Sequence, residues 1–219
     1  MPSIMSKPKI NFEKCDKAFI EKTFKIKQTL DFERLTNWLQ MDAGVLEEEL
    51  TQLNKAKKVA IRRINDWNEE TLKMHFIATI LNLVDFNSDT YSAFAGEKLE
   101  AEFDQLILTG IVDWFVATGI YKPEKPYFFF HEYKRRSKGN SDPEGQLLAE
   151  MIAARERNQW QYQALYGVVV VAQFWYFIVL KENEYAISKS FDSMDETELI
   201  QIFKTLKVAK REFIDTFLV

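Results

Sequence analysis

Residues 106–135 read LILTGIVDWFVATGIYKPEKPYFFFHEYKR, two apolar runs on either side of a turn punctuated by Pro123 and Pro126. Runs of this length, rich in β-branched and aromatic residues and bounded by turn signals, predict strands over 106–117 and 127–135. Successive strand side chains point to opposite faces. Phe128, Phe130, Glu132 and Lys134 therefore share one face, and Tyr127, Phe129, His131 and Tyr133 share the other. An acid and a lysine thus end an aromatic strand side by side, their Cα atoms roughly 6.6–6.8 Å apart at strand rise. The preceding strand repeats the oddity, with Asp113 alone in Ile111-Val112-Asp113-Trp114-Phe115-Val116. A lone buried charge is costly unless it is paired or bound to a metal.

Two readings follow from these residue types. In one, Asp113 and Glu132 supply carboxylate oxygens to a hard cation, with the backbone carbonyl of Tyr133 as a third ligand. Magnesium suits carboxylates, a carbonyl and water in octahedral array, and it would polarise a phosphoryl oxygen and acidify bound water. Lys134 would hold that water or stabilise charge on the phosphate. In the other, Asp113 and Lys134 form a buried ion pair and Glu132 is exposed at the strand end.

Working outward, Leu99, Ala101 and Phe103 alternate with acids as a half-exposed strand, preceded by a predicted loop over 87–96. Before it, Asn68 caps a helix whose Leu72, Phe76, Ile80 and Leu83 form one stripe. Downstream, Asp142-Pro143-Glu144 has the cap, first-turn proline and acid of a helix start running to Asn158. The apolar stretch 166–180, YGVVVVAQFWYFIVL, is too short for the roughly 20 residues of a bilayer span. It reads as two core strands turning near Ala172 and Gln173, followed by a short strand over 185–190. Ser193 and Glu196 suggest a capping box for a last helix. Residues 1–17 read as an extended lead. The stretch 17–64 reads as helical, with a helix over 31–41 capped by Asp31 and a longer one carrying Leu46, Leu50, Leu53, Ala60 and Ile64. These predict an N-terminal helical arm, residues 1–66, packed on the main domain, residues 67–219, or on a second copy in a homodimer.

Composition narrows the classes. The chain has 219 residues, and its 47% hydrophobic content is ample for a core, which excludes a disordered chain. A net charge of −4 excludes a wholly basic coat. Cys15 has no partner for an internal disulfide, a Cys-based zinc site would need more thiols, and with His75 and His131 as the only histidines a zinc site resting on several His is not expected. His131 and His75 read as core residues. The start, MPSIMSKPKINFEKCDK, shows no signal-peptide run, so a cytoplasmic location and no membrane partner are expected.

The order helix, strand, strand, strand, helix, strand, with Asp113 on the second strand and Glu132-Tyr133-Lys134 on the third, resembles the PD-(D/E)XK nuclease superfamily over roughly residues 67–190. It is most similar to uncharacterised bacterial single-domain members with an HEYK strand (131–134), a DPxGQLL helix start (142–148) and a YG-apolar-FW strand pair (Tyr166-Gly167, Phe174-Trp175). The resemblance implies an α/β fold with a restriction-endonuclease-like αβββαβ core, its mixed central sheet flanked by helices. It implies Asp113 and Glu132 as metal ligands, Lys134 as catalytic lysine, Glu70 as an additional ligand with Glu69 one step away, and Gln146 near the site. Val112 stands where the motif has proline, which removes no ligand.

The expected activity is Mg²⁺-dependent hydrolysis of nucleic-acid phosphodiester bonds, with Mn²⁺ as substitute and DNA the expected substrate. Arg135, Arg136 and Lys138, just beyond the strand, would neutralise backbone phosphates, and Trp160 and Tyr162 would stack on bases or cover a core edge. The alternative is a non-catalytic module on the same fold that binds nucleic acid or protein. A glycosidase using Asp113 and Glu132 is disfavoured because Lys134 has no part in that scheme.

Overall fold

The computed structural model describes residues 7–134, 142–160 and 163–217. In chain order the elements are β1 (Lys9–Asn11), α1 (Lys17–Phe24), β2 (Lys27–Gln28), α2 (Glu33–Gln40), α3 (Glu47–Arg63), α4 (Glu69–Leu72), a π turn (Lys73–Ile77), α5 (Ala78–Val84), β3 (Tyr91–Glu102), β4 (Ile107–Thr118), β5 (Glu124–Lys134), α6 (Pro143–Asn158), β6 (Leu165–Val171), β7 (Phe174–Lys181), β8 (Glu184–Ile187), β9 (Phe191–Asp192) and α7 (Glu196–Val208). This is an α/β fold. β3, β4 and β5 form an antiparallel meander, β6 runs parallel to β5, and β7 and β8 return antiparallel.

A parallel pair needs a crossover, and α6 supplies it between β5 and β6. Residues 145–154 of α6 are all buried, as expected of a helix covered on both sides. The sheet lies beneath it and α1 packs over it. The close approach has a local signature at Gly145, where an added Cβ would stand 2.6 Å from backbone atoms of Cys15, Asp16 and Lys17. Asp142 serves two helix starts with one carboxylate, accepting from the Gly145 N–H (3.0 Å) and the Lys17 N–H (2.9 Å). On this face Phe12, Ile20, Leu108, Phe115, Phe130, Leu147, Met151 and Ile178 make one core.

The opposite face carries α2, α3, α5 and α7, with Trp38 at the centre. Its indole stands edge-on to Phe129, Tyr166, Phe177 and Phe213. Its Nε1–H donates to the Thr205 carbonyl at 2.9 Å, which fastens α2 to α7.

Several boundaries differ from expectation. Lys9–Asn11 of the predicted extended lead is strand β1, parallel to the start of β4, and Lys27–Gln28, inside the predicted helical arm, pairs with β8. Leu35, Trp38, Leu53 and Ala60 share one core with Phe76, Phe129 and Phe203. The boundary at residue 66 therefore does not set an arm outside the sheet, and packing on the main domain is the placement found. The helix over 31–41 starts at Glu33, with Phe32 rather than Asp31 at its cap. Tyr91–Ala95, within the stretch expected as loop, pairs antiparallel with Trp114–Thr118 of β4, and Tyr91 is buried there. Asp195, not Ser193, caps α7, while Ser193 is buried and donates to the Gln173 carbonyl. The turn near Ala172 and Gln173 is present, with Ala172 at φ 55°. No helix among the described residues is long and apolar enough to cross a membrane.

Truncating Trp38 removes the ring contacts that α2 makes with Phe129, Tyr166 and Phe177 of the sheet. Trp38→Ala is expected to lower unfolding free energy by about 3–5 kcal/mol, read as a fall in the urea midpoint.

Candidate functional site

The pairing of β4 with β5 reaches Trp114 opposite His131, and the next residue of β4 is Asp113. Its carboxylate takes over where the ladder stops: Oδ2 accepts the Tyr133 backbone N–H at 3.1 Å. Oδ1 accepts from Lys73 Nζ at 3.0 Å. Lys73 opens the π turn that interrupts the first core helix, and such turns are frequent at functional sites. Its ammonium also meets Glu69 Oε1 at 3.0 Å and Glu70 Oε1 at 3.2 Å, and lies 5.6 Å from the Tyr133 ring centre. Burial pulls the Lys73 pKa down, but Asp113 and Glu69 outweigh it and the net shift is upward.

Glu132 is fully buried. Its Oε1 lies 2.7 Å from Lys134 Nζ, and its Oε2 accepts from Gln146 Nε2 at 2.8 Å. Gln146 in turn reaches Glu150 Oε1 at 3.3 Å, one helical turn on. Glu150 is also fully buried, and its Oε2 has no hydrogen-bond partner among the described residues. Burial, then the nearby Asp113 charge, push the Glu132 pKa up to about 8 despite Lys134. Burial, then Glu132, raise that of Glu150 well above the carboxylate range. Lys134 is lowered by burial but raised more by Glu132, Glu69 and Asp113.

Asp113, Glu132, Lys134 and Gln146 are thus brought to one end of the sheet. The ion pair weighed between Asp113 and Lys134 is not what forms: Lys134 pairs with Glu132, and Lys73 takes Asp113. Glu132 is buried, not exposed. Of the two acids on the first core helix, Glu69 is the more enclosed and acts on Glu132 and Lys134, whereas the Glu70 side chain is 75% exposed at the rim. Tyr133 gives its N–H to Asp113 and stands opposite Val170 in the β5–β6 ladder. Arg135, Arg136, Lys138 and Tyr162 lie outside the described residues. His131 is in the core on the other face, its pKa lowered to about 3 by burial.

Sequence reasoning missed Lys73 and Glu150. Glu150 carried a signal, an acid in the apolar run Leu147–Met151 (QLLAEM with its preceding Gln146), the same oddity that marked Asp113. Lys73 carried only its spacing, i+3 and i+4 from Glu70 and Glu69, which also describes an ordinary surface helix pair. Beside the site a cleft of about 540 Å³ runs between the first core helix and β3–β4, lined by Lys73, Asp113, Met74, Ile77, Ile111 and Trp114 among others.

Among the described residues no three His, Cys, Asp or Glu side chains gather as a preformed metal centre. The donors present are of the oxygen type that hard cations take. Glu69, Asp113, Glu132 and Glu150 offer oxygen only, and among the described residues they outnumber Lys73 and Lys134 and one buried oxygen of Glu150 has no hydrogen-bond partner. No family model matches the chain, and no curated protein matches it.

Glu150 holds its proton more tightly when folded than when unfolded, so its contribution favours folding at low pH and fades as pH rises above the usual carboxylate range. Glu150→Gln keeps the shape and removes the charge. In EDTA it should leave stability nearly unchanged at pH 5 and raise it at pH 8.5, by about 1–3 kcal/mol, the usual cost of a buried group without a partner. Urea titrations at the two pH values read this directly.

Proposed function

We propose that the protein is a Mg²⁺-dependent nuclease that hydrolyses phosphodiester bonds of nucleic acid, with DNA as the first substrate to test. The observation that carries this is the end of β5: a fully buried Glu132 and Lys134 on one face, beside Asp113 of β4. The chain order of helix, three antiparallel strands, crossover helix and parallel strand supports the restriction-endonuclease-like reading.

Asp113 and Glu132 are the residues that would hold the cation, with Glu69 turned toward them. When bound, magnesium supplies polarisation of the phosphoryl oxygen and a more acidic water. Gln146 orients Glu132 by donating to Oε2, which leaves Oε1 toward Lys134. Lys134 cannot be a ligand, being a cation. Its three N–H donors can hold the attacking water and meet the charge that develops on the phosphate. The surroundings of α6 exclude solvent from that side, where fixed charges act more strongly than in water.

One observation favours the rival, a non-catalytic module: each acid that would hold the metal already has a lysine, Lys73 on Asp113 and Lys134 on Glu132. Cleavage assays separate the two. Plasmid and single-stranded DNA should be cut with Mg²⁺ or Mn²⁺. Lys134→Ala should retain metal binding by calorimetry yet lose about 10²–10³ in turnover, the scale for deleting one preorganised charge. Asp113→Ala should lose metal binding and turnover together. Failure of the unmodified protein to cut any nucleic acid with either ion would favour the binding module.

A further inference from the structure

Asp113 has no free oxygen. Oδ2 is committed to the Tyr133 N–H, which is part of how β5 is held against β4, and Oδ1 is committed to Lys73. Of these two bonds only the second can be given up without opening the sheet. Lys73 is placed to give it up. Its flexible four-carbon stem starts at the first residue of a π turn, and the residue itself lines the 540 Å³ cleft, into which its ammonium can swing. While in place, that one ammonium is shared by Asp113, Glu69 and Glu70, at 3.0, 3.0 and 3.2 Å, and offsets part of their charge. A second observation points to a ligand at the same end of the sheet: the fully buried Oε2 of Glu150, unpartnered among the described residues, behind Glu132 and Gln146.

We propose that Lys73 is a built-in counter-cation that occupies the Asp113 oxygen a divalent ion would take, so that metal loading is an exchange of ammonium for metal. The inference rests on the metal-site reading above and adds a residue to it. The lysine also compensates part of the charge of the acidic cluster, since an uncompensated set of carboxylates would repel. Because the ion must displace a fixed internal charge, its apparent affinity is lower than the donor set alone would allow. The lysine released into the cleft then faces the approach of a phosphate backbone, which has a use for a point charge.

Calorimetric titration with Mg²⁺ and with Mn²⁺, in the absence of nucleic acid, tests the exchange. Lys73→Met, which keeps the stem and removes the charge, should bind either ion at least tenfold more tightly than the unmodified chain. Lys73→Arg, which keeps the charge, should bind no more tightly than the unmodified chain. Thermal melts should show Lys73→Met destabilised in EDTA and recovered by metal, and Lys73→Arg little changed. Equal or weaker metal binding by Lys73→Met would overturn the exchange, as would tight binding by Lys73→Arg. If Lys73→Met does not fold in EDTA, refolding it in the presence of Mn²⁺ reads the same exchange, and failure to refold there overturns it. Loss of cleavage bears on the nuclease reading alone, because every readout here is made without substrate.

Discussion

The hydrogen bond from the Tyr133 N–H to Asp113 Oδ2 is the contact on which this end of the molecule depends. The β4–β5 ladder ends at Trp114 and His131, and a side chain then does what the backbone no longer does. The last residues of β5 are drawn to β4 and, through the β5–β6 pairing that runs to Lys134, to the rest of the sheet. Glu132 and Lys134 are thereby fixed on the face covered by α6. Without that bond the carboxylate of Asp113 would be one more acid in a crowded place. With it, Asp113 is both a structural acceptor and the proposed holder of a cation.

Placing acids here runs against stability. Burying a carboxylate is costly, and Glu132 and Glu150 are both fully buried and both hold their protons unusually tightly. The fold offsets this with two lysines and a glutamine, and with apolar cover from a crossover helix buried on two sides. The offset is incomplete, since Glu150 Oε2 finds no partner among the described residues. Strongly perturbed acids of this kind occur at functional sites and also in structural ion-pair networks.

Much of this could be read from the residues. The apolar and aromatic runs bounded by turn residues located the strands near 106–117 and 127–135, and the lone charges Asp113, Glu132 and Lys134 within them pointed to the candidate site. Asp142-Pro143 and Asn68 announced their helices because capping chemistry is local. What failed was non-local. Lys9–Asn11 and Lys27–Gln28 are strands only because the edges of β4 and β8 accept them, and two or three polar residues show no period of their own. Tyr91–Ala95 looks like a loop until it pairs with β4. The pairing of lysines with acids depended on a helix and a strand forty residues apart, Lys73 with Asp113, which no spacing along the chain encodes. Glu150 was legible by the rule that found Asp113, but its place in a helix of alternating interest to two faces hid it.

The central claim is that Asp113 and Glu132 hold one divalent cation between them. A crystal soaked in Mn²⁺, with data collected to show anomalous scattering, tests it most directly. The account predicts an anomalous peak within bonding distance of Asp113 and Glu132, with the Lys73 ammonium withdrawn from Asp113 toward the cleft. A well-ordered site at millimolar Mn²⁺ with no peak there, and Lys73 still on Asp113, would contradict it.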